Sequence, residues 1–166
     1  MTPSLPLSIV VYDTGIILQA ALNPDGPAER ALARMQAQTV HAIMSNRLRS
    51  EYEDVLKRDT LRAKYPILQN SRFVDIQLRR VDSLMERTDN PPERITYERD
   101  PKDAPLINLV IHVRADFMVA RDKHLLVLTD DPVFRHASPQ TQVMDPVEFV
   151  REMERPRELE QARAVE

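Results

Sequence analysis

Arg99 to Leu128, RDPKDAPLINLVIHVRADFMVARDKHLLVL, reads as an acidic loop, a buried helix, a buried strand and a second acidic turn. Asp100 and Asp103 stand just before the helix. From Ala104 to Val113 only Asn108 and His112 carry polar side chains, and a helix apolar nearly all round is covered on both sides. Phe117–Met118–Val119–Ala120 is a short apolar run bounded by charge, as expected of a central strand of a parallel sheet, and it leads to Asp122. Asp122 lies 19 positions beyond Asp103. A helix of about ten residues at about 1.5 Å rise, followed by a return along a strand at about 3.3 Å, brings the chain back to the level where it began. Both carboxylates are therefore expected at one edge of the sheet. Two acids placed together require a cation or a shared proton.

Upstream, Leu7 to Tyr12 (LSIVVY) is a continuous β-branched run and predicts a buried strand ending at Asp13. Ile16 to Leu22 predicts a short helix, and NPDGP (Asn23 to Pro27) a turn that sets Pro27 at the first position of the helix PAERALARMQAQ. TVHAIMS (Thr39 to Ser45) predicts a second strand, with Ser45–Asn46 capping the helix that follows. That helix, NRLRSEYEDVLKR, has one apolar stripe of Leu48, Tyr52, Val55 and Leu56. Glu51 falls on the shoulder of the stripe and looks inward, whereas Glu53 and Asp54 turn outward. Thr60 to Met85 predicts an Arg-rich amphipathic helical stretch interrupted near Pro66 and ended by Asp89–Asn90–Pro91–Pro92. Arg94 to Tyr97 is a weak edge-strand candidate, and TDDPVFRHASP (Thr129 to Pro139) reads as a loop. Thr141 to Met144 predicts a last short strand, and PVEFVREME a closing helix from Pro146. Strands alternating with helices imply an α/β domain, a three-layer α/β/α architecture with a central, mostly parallel sheet. We place this domain at residues 1–150 and a charged C-terminal tail, frayed or ordered by a partner, at 151–166.

Composition removes several classes of function. With 166 residues, 42% hydrophobic content and a formal charge of −3, the chain is neither a polybasic nucleic-acid binder nor a disordered tail. It has no cysteine, so thiol catalysis, zinc–thiolate sites and disulfides are excluded. Gly15 and Gly26 are its two glycines, too few for a phosphate-cradling glycine loop. The apolar run near the N-terminus has no basic residue ahead of it and is far too short to span a bilayer. It predicts a strand of a cytoplasmic protein with no membrane attachment.

In open parallel sheets, sites form beyond the carboxyl ends of the strands. Asp13 ends the first strand, Asp122 follows the strand after the buried helix, Asp103 opens that helix, and Glu51 looks inward from another. We expect the four to meet in one pocket. Taken singly, each has a bland explanation: Asp103 as a helix cap, Glu51 as a solvated charge, Asp13 as the end of a strand. Taken together, all-carboxylate ligation without Cys or a paired His suits a hard ion, Mg²⁺ or Mn²⁺, which activates water in phosphodiester hydrolysis. The Asp13–Thr14–Gly15 triplet also matches the aspartic-protease signature. That fold is all-β and rich in glycine turns, and this chain is neither.

The segments VVYDTGIILQAALNPDGPAERAL, RSEYEDVLKR, RDPKDAPLINLVIHVRADFMVARDKHLLVL and VMDPVEFV resemble the PIN domain family, specifically the VapC-like toxin components of bacterial type II toxin–antitoxin pairs. The resemblance covers most of Val10 to Val150 and implies a PIN-like fold with a metal set of Asp13, Glu51, Asp103 and Asp122. It implies a Mg²⁺- or Mn²⁺-dependent ribonuclease, with RNA as substrate and an antitoxin protein as partner. The chain departs from the family's pattern at Gly15, where Asn is usual, at Ala104, where an acid is usual, and at Arg121, where Gly is usual. Replacing the Asn by Gly15 is expected to loosen Asp13 by removing a hydrogen bond. Thr14, Ser45, Arg121 and His124 are expected beside the acids or the substrate. Arg47, Arg49, Lys57, Arg58, Arg62 and Lys64 surround the helix that carries Glu51; they either guide a phosphate backbone or form a solvated, ion-paired face. The alternatives are a PIN-like module that binds RNA or protein without turnover, and a DNA nuclease using the same acids. The Pro91–Pro92 break and the tail are candidate homodimer contacts.

Overall fold

Val10, Val11 and Tyr12 are buried, and so are Phe117, Met118 and Val119. The computed structural model, which describes residues 6–37 and 39–155, pairs these runs as neighbouring parallel strands, β1 (Ser8–Tyr12) and β4 (Phe117–Val119). On the other side of β1 lies β2 (Val40–Ser45), then β3 (Glu86–Thr88) at one edge; β5 (Gln142–Met144) forms the opposite edge beyond β4. Every pairing is parallel, in the order β3-β2-β1-β4-β5. The register sets Val10 beside Phe117 and Tyr12 beside Val119. A parallel sheet needs both faces covered, and the helices supply that cover.

The connections are α1 (Thr14–Leu22) and α2 (Pro27–Gln36) between β1 and β2, then α3 (Asn46–Leu56), α4 (Asp59–Lys64) and α5 (Ser71–Leu84) before β3. The chain crosses back through α6 (Ala104–His112) to β4, and α7 (Lys123–Leu126) and α8 (Pro132–Ala137) lead to β5 and α9 (Pro146–Glu154). One face of the sheet is closed by α2 and α9. The Tyr12 hydroxyl donates to the Ala31 carbonyl at 2.9 Å, and Phe149 meets the rings of Tyr12 and Phe117 edge-on at 5.9 and 5.5 Å. A right-handed return from β3 to β4 carries α6 to the opposite face. There it is buried from Leu106 to Ile111, as its apolar circumference requires. The expected three-layer α/β/α architecture is the observed one.

Three local expectations need correction. Arg94–Tyr97 is not a strand. The N–H groups of Arg94 and Ile95 donate to the side-chain oxygen of buried Asn108, whose amide donates back to the Ile95 and Ala104 carbonyls, each at 2.9 Å. One side chain thereby satisfies backbone that would otherwise seek a sheet partner. The edge strand is instead Glu86–Arg87–Thr88, which has no apolar residue to signal it and is held by backbone pairing to Ile43–Ser45. Such charged, short edges are common where a sheet must not recruit further strands. The segment from Thr129 to Pro139 is not all loop either. Asp131, expected as a solvating loop charge, accepts from the N–H groups of Val133 and Phe134 and starts α8 with Pro132 at its first position. The tail beyond Arg155 lies outside the described residues. Among the described residues, no helix is long and apolar enough to cross a membrane.

The turn from α6 into β4 is strained. Arg114 has φ of 53°, left-handed backbone in a non-glycine residue, while the Ala115 N–H reaches back to the Val110 carbonyl at 3.1 Å to close the helix. Arg114→Gly is expected to stabilise the chain by about 1 kcal/mol, raising Tm by about 2–4 °C in a domain of this size. A lower Tm would show that the Arg114 side chain contributes more than its backbone costs.

Candidate acidic active site

The strand order reverses at β1: β2 and β3 lie to one side, β4 and β5 to the other. The crevice beyond the carboxyl ends of β1 and β4 is where an open α/β sheet takes its ligands. Asp13 follows β1 directly, and its N–H donates to the Val119 carbonyl at 2.9 Å, which ties it to the end of β4. Asp122 stands just past that end, at the start of α7. Asp103 closes a short 3₁₀ turn (Pro101–Asp103) at the head of α6. Glu51 projects from the second turn of α3. That helix begins straight off β2, with the Ser45 hydroxyl accepting from the Leu48 N–H at 3.2 Å.

Two of these acids, Asp13 and Asp103, feel the charges of the others. Burial raises the Asp13 carboxyl to about 6, and the charges of Glu51 and Asp122 push the same way against the opposing N–H groups of Gly15 and Thr14. Burial also raises Asp103 to about 6, reinforced by Asp100, Asp13, Asp122 and Glu51. Glu51 is raised by burial too, but Arg58, Arg47 and Lys102 beside it pull in the other direction. Asp13 and Asp103 thus lie within electrostatic reach of the other two acids.

The bland explanation fails for Asp103. Its side chain makes no capping bond, and its Oδ2 is buried with no hydrogen-bond partner among the described residues. Asp100 does the local turn work instead, accepting from the Lys102 N–H at 3.1 Å. Asp122 does cap a helix, since its Oδ1 accepts from the His124 N–H at 2.9 Å, and that bond commits one of its two oxygens. Asp13 precedes α1 without completing a side-chain cap. Gly15 bears on this directly. A Cβ there would come within 3.3 Å of Asp13 Oδ2, so the glycine lets the carboxylate lie close to the start of α1. The backbone N–H groups facing Asp13 offset part of what the missing Asn side chain would supply.

A buried carboxylate oxygen without a partner among the described residues, on an acid that neighbouring carboxylates push upward, fits a cation at this position. The donors are all oxygens, which suits a hard divalent cation. Among the described residues, no three His, Cys, Asp or Glu side chains stand close enough to form a preassembled cage. Magnesium tolerates this, because it keeps several waters and uses one or two carboxylates rather than a closed protein shell.

Of the other expected neighbours, Ser45 is buried as the α3 cap, and Thr14 lends its N–H to Asp13. Arg121 is exposed. His124 is exposed as well, and its main chain is held by Asp122 on one side and by the Tyr97 hydroxyl on the other. The basic residues of α3 divide. Arg49 is committed to Asp82 and Glu53, and Lys57 to Glu53, whereas Arg47 and Arg58 face Glu51. Lys102 was missed by sequence reasoning. Its signal was its place directly before Asp103 in the same turn.

Because folding raises Asp13 and Asp103 above their unfolded range near 3.9, the native metal-free chain binds more protons than the unfolded chain between about pH 4 and 6. Their contribution to stability is therefore full below that window and is lost as pH rises through it. Relative to the Asp13→Asn, Asp103→Asn double variant, the wild type in EDTA should gain stability on going from pH 7 to pH 5, by about 2 kcal/mol. The double variant should be the more stable of the two at pH 7. Thermal melts at both pH values test this; parallel shifts of the two proteins would refute it.

A sequence model described as PIN domain matches residues 9–124, which include all four acids. No curated protein and no solved structure gives a significant match. With its three layers, its parallel sheet and a family match across most of its length, the chain belongs to the PIN domain family, whose members are generally nucleases.

Proposed function

We propose that the chain is a Mg²⁺- or Mn²⁺-dependent endoribonuclease that hydrolyses RNA phosphodiester bonds at the acidic crevice, and that it serves in the cytoplasm as the toxin of a toxin–antitoxin pair. The observation that carries this reading is the unpartnered, buried Oδ2 of Asp103 beside three further carboxylates. When bound, the cation offsets the charge of the acids and of the substrate phosphate and activates water.

The chain's own residues have distinct tasks. Asp13 and Asp103, the two acids raised to about 6, hold the cation. Asp122 adds the oxygen that its capping bond leaves free. Glu51, raised by burial against the pull of Arg58, Arg47 and Lys102, accepts a proton from, or orients, the attacking water. Thr14 and Gly15 aim Asp13 through their N–H groups. The toxin assignment rests on the sequence resemblance, and an antitoxin would act by covering the crevice.

The absence of a preassembled three-residue cage among the described residues favours one other reading, a PIN-like module that binds RNA without turnover. A single assay separates the two. Purified protein should cut RNA with Mn²⁺ and fall silent in EDTA, and Asp13→Asn or Asp103→Asn should lower the rate by about 10²-fold or more. Mn²⁺ binding without cleavage of any RNA supports the module, whereas full activity in both variants, or cleavage in EDTA, overturns the acidic-site mechanism. Cleavage of DNA at the same rate as RNA would reassign the substrate.

A further inference from the structure

Two depressions run side by side next to the acids, and they share Arg47 and Pro105. The first, of ≈ 330 Å³, follows the flank of α3, where Arg47, Arg58 and Lys102 come together with Glu51 and Asp54. The three cations exceed the two carboxylates, and one of those carboxylates belongs to the acidic crevice. Among the described residues none of the three cations is in a salt bridge, whereas Arg49 and Lys57 on the same helix are both paired. An exposed cation without an intramolecular acid is available to a phosphate.

The second depression, of ≈ 130 Å³, lies between the heads of α3 and α6 and the segment at residues 90–93. A site for one water needs only about 10–15 Å³, so this one admits a ring. Pro91, Pro101, Pro105 and Ala104 give it flat apolar walls, and polar groups stand at its ends. The Asn90 side-chain oxygen is taken by the Arg47 N–H at 2.8 Å, which turns the amide's N–H₂ to other use. Glu93 is exposed and makes no ion pair among the described residues. The walls suit the faces of a nucleobase, and the ends suit its hydrogen-bonding edge. A carboxylate that accepts from two adjacent donors, with an amide donor beside it, matches guanine: N1–H and N2–H₂ toward Glu93, O6 toward Asn90.

We infer that the paired depressions form a subsite for one unpaired nucleotide of the substrate, its phosphate on Arg58 and Lys102 and its base, guanine by preference, in the pocket of Asn90 and Glu93. Arg47 stands between the two, placed to stack on the base or to reach the phosphate. The inference rests on the ribonuclease reading for its substrate class and adds a specificity to it. A base buried in the pocket cannot be paired or stacked in a duplex, so the subsite selects single-stranded or looped RNA.

The test uses the full chain in EDTA, titrated with GMP, AMP, CMP and UMP by calorimetry or NMR, while RNA cleavage is measured separately with Mn²⁺. GMP should bind about fivefold or more tightly than the other three. Glu93→Gln should remove that preference. Arg58→Ala and Lys102→Ala should weaken all four nucleotides alike, and each should lower the salt dependence of single-stranded RNA binding by about 0.7 in log–log slope. Arg49→Ala, a change to a paired cation on the same helix, should leave nucleotide binding unaltered. All three targeted side chains are exposed, and melting curves confirm that the variants fold. Equal affinity for the four nucleotides with no response to Glu93→Gln overturns the base pocket, and indifference to both cation variants overturns the subsite. If RNA is cut while these variants change nothing, the nuclease reading stands without the subsite. If GMP binds as described and no RNA is cut, the subsite stands and the nuclease reading falls.

Discussion

The parallel pairing of β1 with β4 is the constraint on which the rest of the molecule depends. Tyr12 lies beside Val119, and the N–H of Asp13 continues the ladder to the Val119 carbonyl. That single register ends both strands at one level. It brings an acid from near the N-terminus into the neighbourhood of an acid more than a hundred positions later. The strand neighbours on either side are buried, so a slip by one residue would turn Tyr12 and Phe117 away from Phe149 and cost the core its aromatic contacts. The apolar pattern of two short strands thus holds the carboxylates in place.

What those carboxylates experience follows from desolvation more than from mutual repulsion. Burial is the first cause of the raised pKa at Asp13, Asp103 and Glu51 alike; neighbouring carboxylates add to it at Asp13 and Asp103, whereas neighbouring cations oppose it at Glu51. The raised carboxylates are therefore a local weakness of the fold above about pH 6. Nearby basic groups are distributed to match. Arg58, Arg47 and Lys102 temper Glu51, and none of the three is among the charges that act on Asp13 and Asp103. On the other flank of α3, Arg49 and Lys57 are locked into surface ion pairs and serve the fold alone. One helix thus presents an ion-paired basic flank and one that faces Glu51.

Much of this was legible in the residues. The all-round apolarity of α6, the β-branched run of β1 and the single stripe of α3 each admitted one solution, because local periodicity and burial agree there. The placement of Asp13, Asp103 and Asp122 was legible for the same reason, since each stands at the end of an element that the pattern identifies, and Glu51 follows from the stripe of α3. β3 was not legible. Glu86, Arg87 and Thr88 carry no apolar signal, and only the open edge of β2 makes them a strand. Arg94–Tyr97 failed for the converse reason, since its strand-like composition was overruled when Asn108 took its backbone hydrogen bonds. Lys102 and the division of the α3 cations depend on which acids lie across space, and spacing along the chain does not encode that.

The sequence by itself determined the layered α/β class and the strands β1, β2, β4 and β5, and it marked four acids as candidates, since these follow from short-range periodicity and from the side chains available. Tertiary structure alone decided that Asp103 caps nothing and keeps a buried oxygen without a partner, that Gly15 lets Asp13 lie against the start of α1, and which cations remain free beside Glu51. Desolvation and charge pairing are properties of three-dimensional neighbourhoods, and the same carboxylate is a cap, a solvated charge or a ligand according to what the rest of the fold places around it.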